Sequence, residues 1–137
     1  LEPIRRAESL HRKHRTNCPF KIAKILNITI MYLDLPIEVK GYSRRVLKRK
    51  IIVINSNLEE DEQYFVCAHE LGHIILHKGV SHYFITTHTF VHVGRYEREA
   101  HTFALYLLIS GDSLAENESV QALLTRNRVP EEMARYY

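Results

Sequence analysis

His69-Glu70-Leu71-Gly72-His73 is the stretch from which the rest of this chain can be read outward. It spells H-E-x-x-H. In a helix, side chains at i and i+4 stand one above the other on the same face. The imidazoles of His69 and His73 are therefore placed to hold one metal ion between them. Glu70 follows the first histidine by about 100° of helical rotation. From there its carboxylate can reach a water beside the metal without being a ligand itself. Zinc held by two helical histidines and a third protein ligand, with one position left open, is the apparatus of metal-assisted hydrolysis. The metal makes water acidic and the glutamate takes the proton.

The pattern is short, and a chain with this His and Glu content produces it by chance on the order of once in thirty sequences. The plain alternative is a surface helix with two solvated histidines. The flanking residues argue against it. Phe65, Val66, Ala68, Leu71, Ile74, Ile75 and Leu76 make the segment apolar over most of its circumference, which predicts a buried helix. Buried imidazoles and a buried carboxylate need partners, and a metal supplies them. Upstream, Asn57 with Glu60 three residues later fits a capping box, and Glu59, Glu60 and Asp61 suit the positive end of the helix dipole. The helix is expected to run from there to about His77. Gly72 costs about 1 kcal/mol of helix propensity, and close approach of another backbone would explain its presence.

The chain has 137 residues, 45% hydrophobic and 26% charged, which fits one globular domain with a real core. A net charge of +3 is too mild to argue for nucleic acid, and the basic residues are not gathered on one face. Of nine histidines, seven fall between His69 and His101, so their clustering matters more than their number. Cys18 and Cys67 make no disulfide framework, which points to a reducing interior. Cys67 faces away from the histidines and reads as a core thiol. No stretch approaches a membrane span and the start does not read as a signal peptide, so a cytoplasmic location is expected. The chain opens on Leu1 rather than Met, which leaves room for a preceding segment.

Residues 1–17 carry Arg5, Arg6, His11, Arg12, Lys13, His14 and Arg15, with Ile4, Ala7 and Leu10 at helical spacing. They read as a basic helix with a solvated face. Asn17 is expected to cap a second helix that starts at Pro19 and ends at Asn27. Residues 28–33 read as a strand, residues 42–47 as an edge strand, Lys48-Arg49-Lys50 as a hairpin tip and residues 51–54 as a central strand. That gives about three strands before the metal helix. Residues 80–94 read as a loop or edge strand passing the metal as one wall of a substrate cleft, with His82, His88 and His92 each exposed or structural rather than a ligand. The tail, residues 112–137, reads as two short helices, 118–125 and 130–136, packed as an extension on the domain formed by residues 1–111. The fold class is α+β: a small mixed sheet packed on the H-E-x-x-H helix, with a second helix bearing the third ligand.

That second helix is residues 95–109, with Tyr96, Ala100, Phe103, Ala104, Leu107 and Leu108 as its apolar side. Glu97 and Glu99 are the candidates for third ligand. Glu97 shares a face with His101 and lies beside the inward residues Tyr96 and Ala100. Glu99 lies about 200° further round and points more toward solvent. Glu97 is preferred on that ground. His101 is then expected to hydrogen-bond a ligand and orient it. Tyr96, His88, His92 and His101 are all candidates to stabilise an oxyanion, and the sequence does not choose among them.

H-E-L-G-H followed by E-x-E-A-x-x-F-A-x-x-L-L over residues 97–108 resembles the ImmA/IrrE family of zinc metallopeptidases. The likeness extends over residues 18–109. It implies a minimal zincin-like topology, Zn²⁺ held by His69, His73 and Glu97, and Glu70 as general base. It also implies a protein substrate, since members from phages and mobile elements cleave or inactivate a cognate helix-turn-helix repressor. Two departures stand out. Asn or Asp is usual where this chain has His101, and a proline often follows the position of Leu108 where this chain continues Ile109-Ser110-Gly111.

The leading expectation is thus a zinc endopeptidase whose activity falls below about pH 6, where its histidines protonate. The alternative is a non-catalytic metal-binding regulator that inactivates its partner by binding. A DNA-binding role for the basic start and the tail is a third, weaker reading.

Overall fold

The computed structural model describes residues 1–78, 82–85 and 94–137, with the backbone alone for 82–85. Nine consecutive residues of one helix, Phe65 to His73, are buried, as the apolar circumference of that segment requires. This helix is α3, Glu60–Leu76. Two helices precede it, α1 (Glu2–His14) and α2 (Pro19–Ile25), followed by strands β1 (Ile28–Leu33), β2 (Val39–Val46) and β3 (Arg49–Asn55). After it come β4 (His82–Ile85), α4 (Arg95–Leu108), α5 (Val120–Arg126) and a 3-10 turn, Glu131–Tyr136. The fold is α+β, in the minimal zincin-like arrangement.

The four strands form one mixed sheet in the order β1-β3-β2-β4. β1 runs parallel to β3, with Ile30 beside Ile52, and β2 is antiparallel to both β3 and β4. The β-branched run Ile51–Ile54 is accordingly central, and Ile52, Val53 and Ile54 are buried. β2 is not the edge strand its arginines suggested, because β4 pairs along it from Val39 to Ser43. The hairpin turns at Leu47, which has φ +58°, so Arg49 and Lys50 already belong to β3 rather than to the tip.

Helix α3 is clamped between the sheet and α4 at two glycines. A Cβ on Gly41 of β2 would stand 2.6 Å from the Val53 carbonyl oxygen and 2.8 Å from Val66 Cγ1 of α3. A Cβ on Gly72 of α3 would stand 2.9 Å from Phe103 Cδ1 and 3.2 Å from Phe103 Cβ. The close approach at Gly72 is therefore made by a side chain of α4 and not by a backbone. Phe103 is fully buried there, worth about 2–3 kcal/mol in transfer from water.

Two expected caps are absent. α3 starts from Glu59, with no side-chain cap; Asn57 instead donates to Asp34 Oδ1 at 2.7 Å and to Asn55 Oδ1 at 3.0 Å. Those partners lie in the loop after β1 and at the end of β3, and they outcompete the helix for the amide. The first turn, Glu60, Asp61 and Glu62, still faces the dipole. Likewise α2 starts from Cys18, while Asn17 donates across the core to the carbonyl of Leu108 at 2.9 Å, at the C-terminal end of α4. Asn27 does end α2, in the left-handed region at φ +61°. The tail is shifted by a residue or two from its expected bounds, and its second helix is 3-10.

Candidate metal centre

Glu97 sits in the first turn of α4, and α4 crosses α3 where Phe103 seats on Gly72. That crossing brings the Glu97 carboxylate to both histidines of the motif. Oε1 lies 2.6 Å from His73 Nε2 and Oε2 lies 3.3 Å from His69 Nε2. The two rings are edge to face, with centroids 4.7 Å apart. His101, one turn along α4, has its Nε2 4.0 Å from Glu97 Oε2, beyond hydrogen-bond length. Its ring stands 4.6 Å from that of His69, between Phe65 of α3 and Tyr136 of the tail. His69, Glu97 and His101 hold ligand atoms within 4.8 Å of one another, and His73 joins them through the Glu97 carboxylate.

Each motif histidine has something behind it. Glu70 is fully buried, and its Oε2 lies 3.2 Å from His69 Nδ1. Its other oxygen, Oε1, has no hydrogen-bond partner among the described residues. Behind His73, Nδ1 faces His77 Nδ1 at 3.1 Å, and His77 Nε2 lies 2.7 Å from Glu99 Oε1. Arg95 Nε donates to Glu99 Oε2 at 3.1 Å. Glu99 therefore does not simply face solvent; it reaches back to the end of α3. Tyr96 turns its ring to His77, with centroids 4.3 Å apart. His88 and His92 lie outside the described residues. His77 is the functional candidate that reading the chain missed, and Glu99, weighed only as a third ligand, partners it instead. The signal was there in His69, His73 and His77 recurring at i, i+4 and i+8, but His77 passed for the end of the helix.

The electrostatics follow from burial set against the carboxylates. Burial opposes a charge on His69, yet hydrogen bonds and charge from Glu70 and Glu97 prevail and push it up to about 9. His73 is lowered, by burial first, because it shares only Glu97 and stands beside a positively charged His69. Burial works to raise Glu97, but its two histidine partners hold it well below the usual carboxylate range. His101 is brought down to about 3 by burial and by the neighbouring His69 charge. Burial likewise raises the Cys67 thiol, as a core cysteine requires.

Imidazole nitrogens and a carboxylate converging in a buried place are the donor set of a divalent cation such as zinc. Tetrahedral ligation at 2.0–2.1 Å puts neighbouring ligand atoms about 3.3–3.4 Å apart. The His69 Nε2 to Glu97 Oε2 separation of 3.3 Å fits that edge; the His73 contact of 2.6 Å is shorter, as a hydrogen bond is. Of the buried polar residues described, five (His69, Glu70, His73, His77 and His101) belong to this one cluster, a concentration that core packing alone does not call for.

Residues 23–137 match a peptidase family described as the IrrE N-terminal-like domain. The chain is 36% identical over 131 residues to "Uncharacterized immunity region protein 2" of Bacillus phage phi105, covering 93% of this chain and 83% of that protein. It is 32% identical over 113 residues to "Metallopeptidase ImmA" of Bacillus subtilis (strain 168), covering 81% of this chain and 65% of that protein, so it spans about two thirds of that relative's length. No solved structure matches.

Proposed function

The chain belongs to the ImmA/IrrE family of metallopeptidases, and from that premise we propose that it is a zinc-dependent endopeptidase that cleaves or inactivates a helix-turn-helix repressor of a phage or mobile element. The observation that carries the proposal is the Glu97 carboxylate standing between His69 and His73, with Glu70 buried beside them. His69, His73 and Glu97 would hold the zinc, which when bound polarises a carbonyl and makes water acidic. Glu70 would take a proton from the attacking water and pass it to the leaving amine. Its Oε1, without a hydrogen-bond partner among the described residues, suits that task, while Oε2 stays with His69 Nδ1. His101, kept neutral by burial and too far from Glu97 for a hydrogen bond, would offer one N–H to the developing oxyanion. The phage relative's name, with its immunity region, supports a repressor as partner, and a cytoplasmic place of action goes with such a partner. Among the described residues no helix is long and apolar enough to cross a membrane.

The test is cleavage of the cognate repressor by the wild type and by Glu70→Gln, with zinc content measured on both. The variant should keep its zinc and cut about 10²–10⁴-fold more slowly. Cutting at the wild-type rate by a zinc-loaded variant would refute the assignment. One observation favours the second reading, a regulator that acts by binding: Glu70 has a structural partner in His69, which explains its presence without catalysis. Repressor inactivated with no fragment on a gel, equally by wild type and variant, would establish that reading instead.

A further inference from the structure

A carboxylate only accepts hydrogen bonds. The 2.7 Å contact between His77 Nε2 and Glu99 Oε1 therefore puts a proton on Nε2 of His77. Nδ1 of His77 then carries the lone pair of the ring. That lone pair faces His73 Nδ1 at 3.1 Å, so the proton between them belongs to His73. The 2.6 Å contact of His73 Nε2 with Glu97 is likewise a hydrogen bond in the metal-free chain; zinc taking that proton's place would leave His73 its single N–H on Nδ1. The chain of donors runs one way, from the inner ring to the outer carboxylate, and Arg95 anchors that carboxylate from the far side. Nε2 is the nitrogen that a metal between His73 and Glu97 must use.

We propose that His77 and Glu99 are positioning residues that lock His73 in its Nδ1–H tautomer and hold its ring with Nε2 turned to the zinc. The inference rests on the zinc reading above. His77 comes from the last turn before α3 ends and Glu99 from α4, so the lock also ties the two ligand-bearing helices together at the site. Core filling alone does not account for the arrangement. A buried apolar side chain would fill the space behind His73 without needing a carboxylate brought across from the next helix.

The experiment is zinc affinity, by competition with a chromophoric chelator, for the wild type, His77→Leu, His77→Asn and Glu99→Gln. His77→Leu keeps the bulk and loses the acceptor; it should bind zinc about 10–100-fold more weakly. His77→Asn places Oδ1 near the old Nδ1 and should recover most of that loss, which a purely steric role would not do. Glu99→Gln should weaken binding several-fold. Its side chain is partly exposed, so it carries the test if His77→Leu fails to fold. A wild type that holds no zinc overturns the zinc reading and this inference with it. A wild type that binds zinc, with His77→Leu and Glu99→Gln binding equally well, overturns the positioning role alone. Asn binding as poorly as Leu overturns the acceptor assignment.

Discussion

The two histidines of the motif are alike in sequence and unlike in support. His69 is backed by Glu70, the next residue on the same helix, wholly buried. His73 is backed through His77 by Glu99, from another helix and with its side chain 27% exposed. The first support is local and ionic; the second is long-range and passes through another ring. The consequence shows in their protonation. His69, with two carboxylates, is pushed up to about 9, while His73, sharing one, is lowered. A motif of five residues therefore encodes one half of its own support and leaves the other half to helix packing.

Removing what the two sides share should have the largest effect. Glu97→Ala takes away the carboxylate that touches both rings, and zinc content should fall from about one ion per chain to under about a tenth, by metal analysis after dialysis. A variant that retains stoichiometric zinc would mean the histidines close the site without Glu97.

The asymmetry itself can be read from pH. In the metal-free chain the raised His69 contributes stability that is fully present below about 6.5 and is lost as pH rises through about 9. Thermal melts of metal-free protein should therefore show Tm falling across pH 6.5–9, and His69→Gln should flatten that limb. The Cys67 thiol adds a loss of its own only near and above its ordinary value of 9.0. Zinc should abolish the fall, because a liganding histidine has already given up its proton. An equal slope in His69→Gln would place the titrating group elsewhere.

The smallest effect should come from disturbing the crossing that serves both sides. Gly72→Ala gains about 1 kcal/mol of helix propensity but sets a methyl 2.9 Å from Phe103 Cδ1 and 3.2 Å from its Cβ. Overpacking costs about 1–3 kcal/mol, so denaturant unfolding should show a net loss of up to about 2 kcal/mol. Zinc affinity should drop with it. A stabilised variant with unchanged affinity would show that α4 can shift without cost to the centre.

Much of the fold was legible because it rests on short-range periodicity. The nine-residue buried stretch of α3, the central β3 and the apolar side of α4 all follow from spacing within a single element. The caps were not legible, although Asn17 and Asn57 are the right residue type. An asparagine amide goes to whichever carbonyl or carboxylate lies nearest in space, and for both residues that group belongs to another element. β2 was misplaced at the edge because nothing in its own residues records that β4 returns to pair with it.

The sequence by itself determined that two imidazoles and a carboxylate ride on one buried helix, since α-helical geometry fixes their relative directions. It also narrowed the third acidic group to Glu97 or Glu99. Only the tertiary structure decided how those two divide the work. α4 packs against α3 with Phe103 resting on Gly72, a contact between residues 31 positions apart that no local rule contains. That packing of the two helices puts Glu97 on the motif histidines and Glu99 on His77.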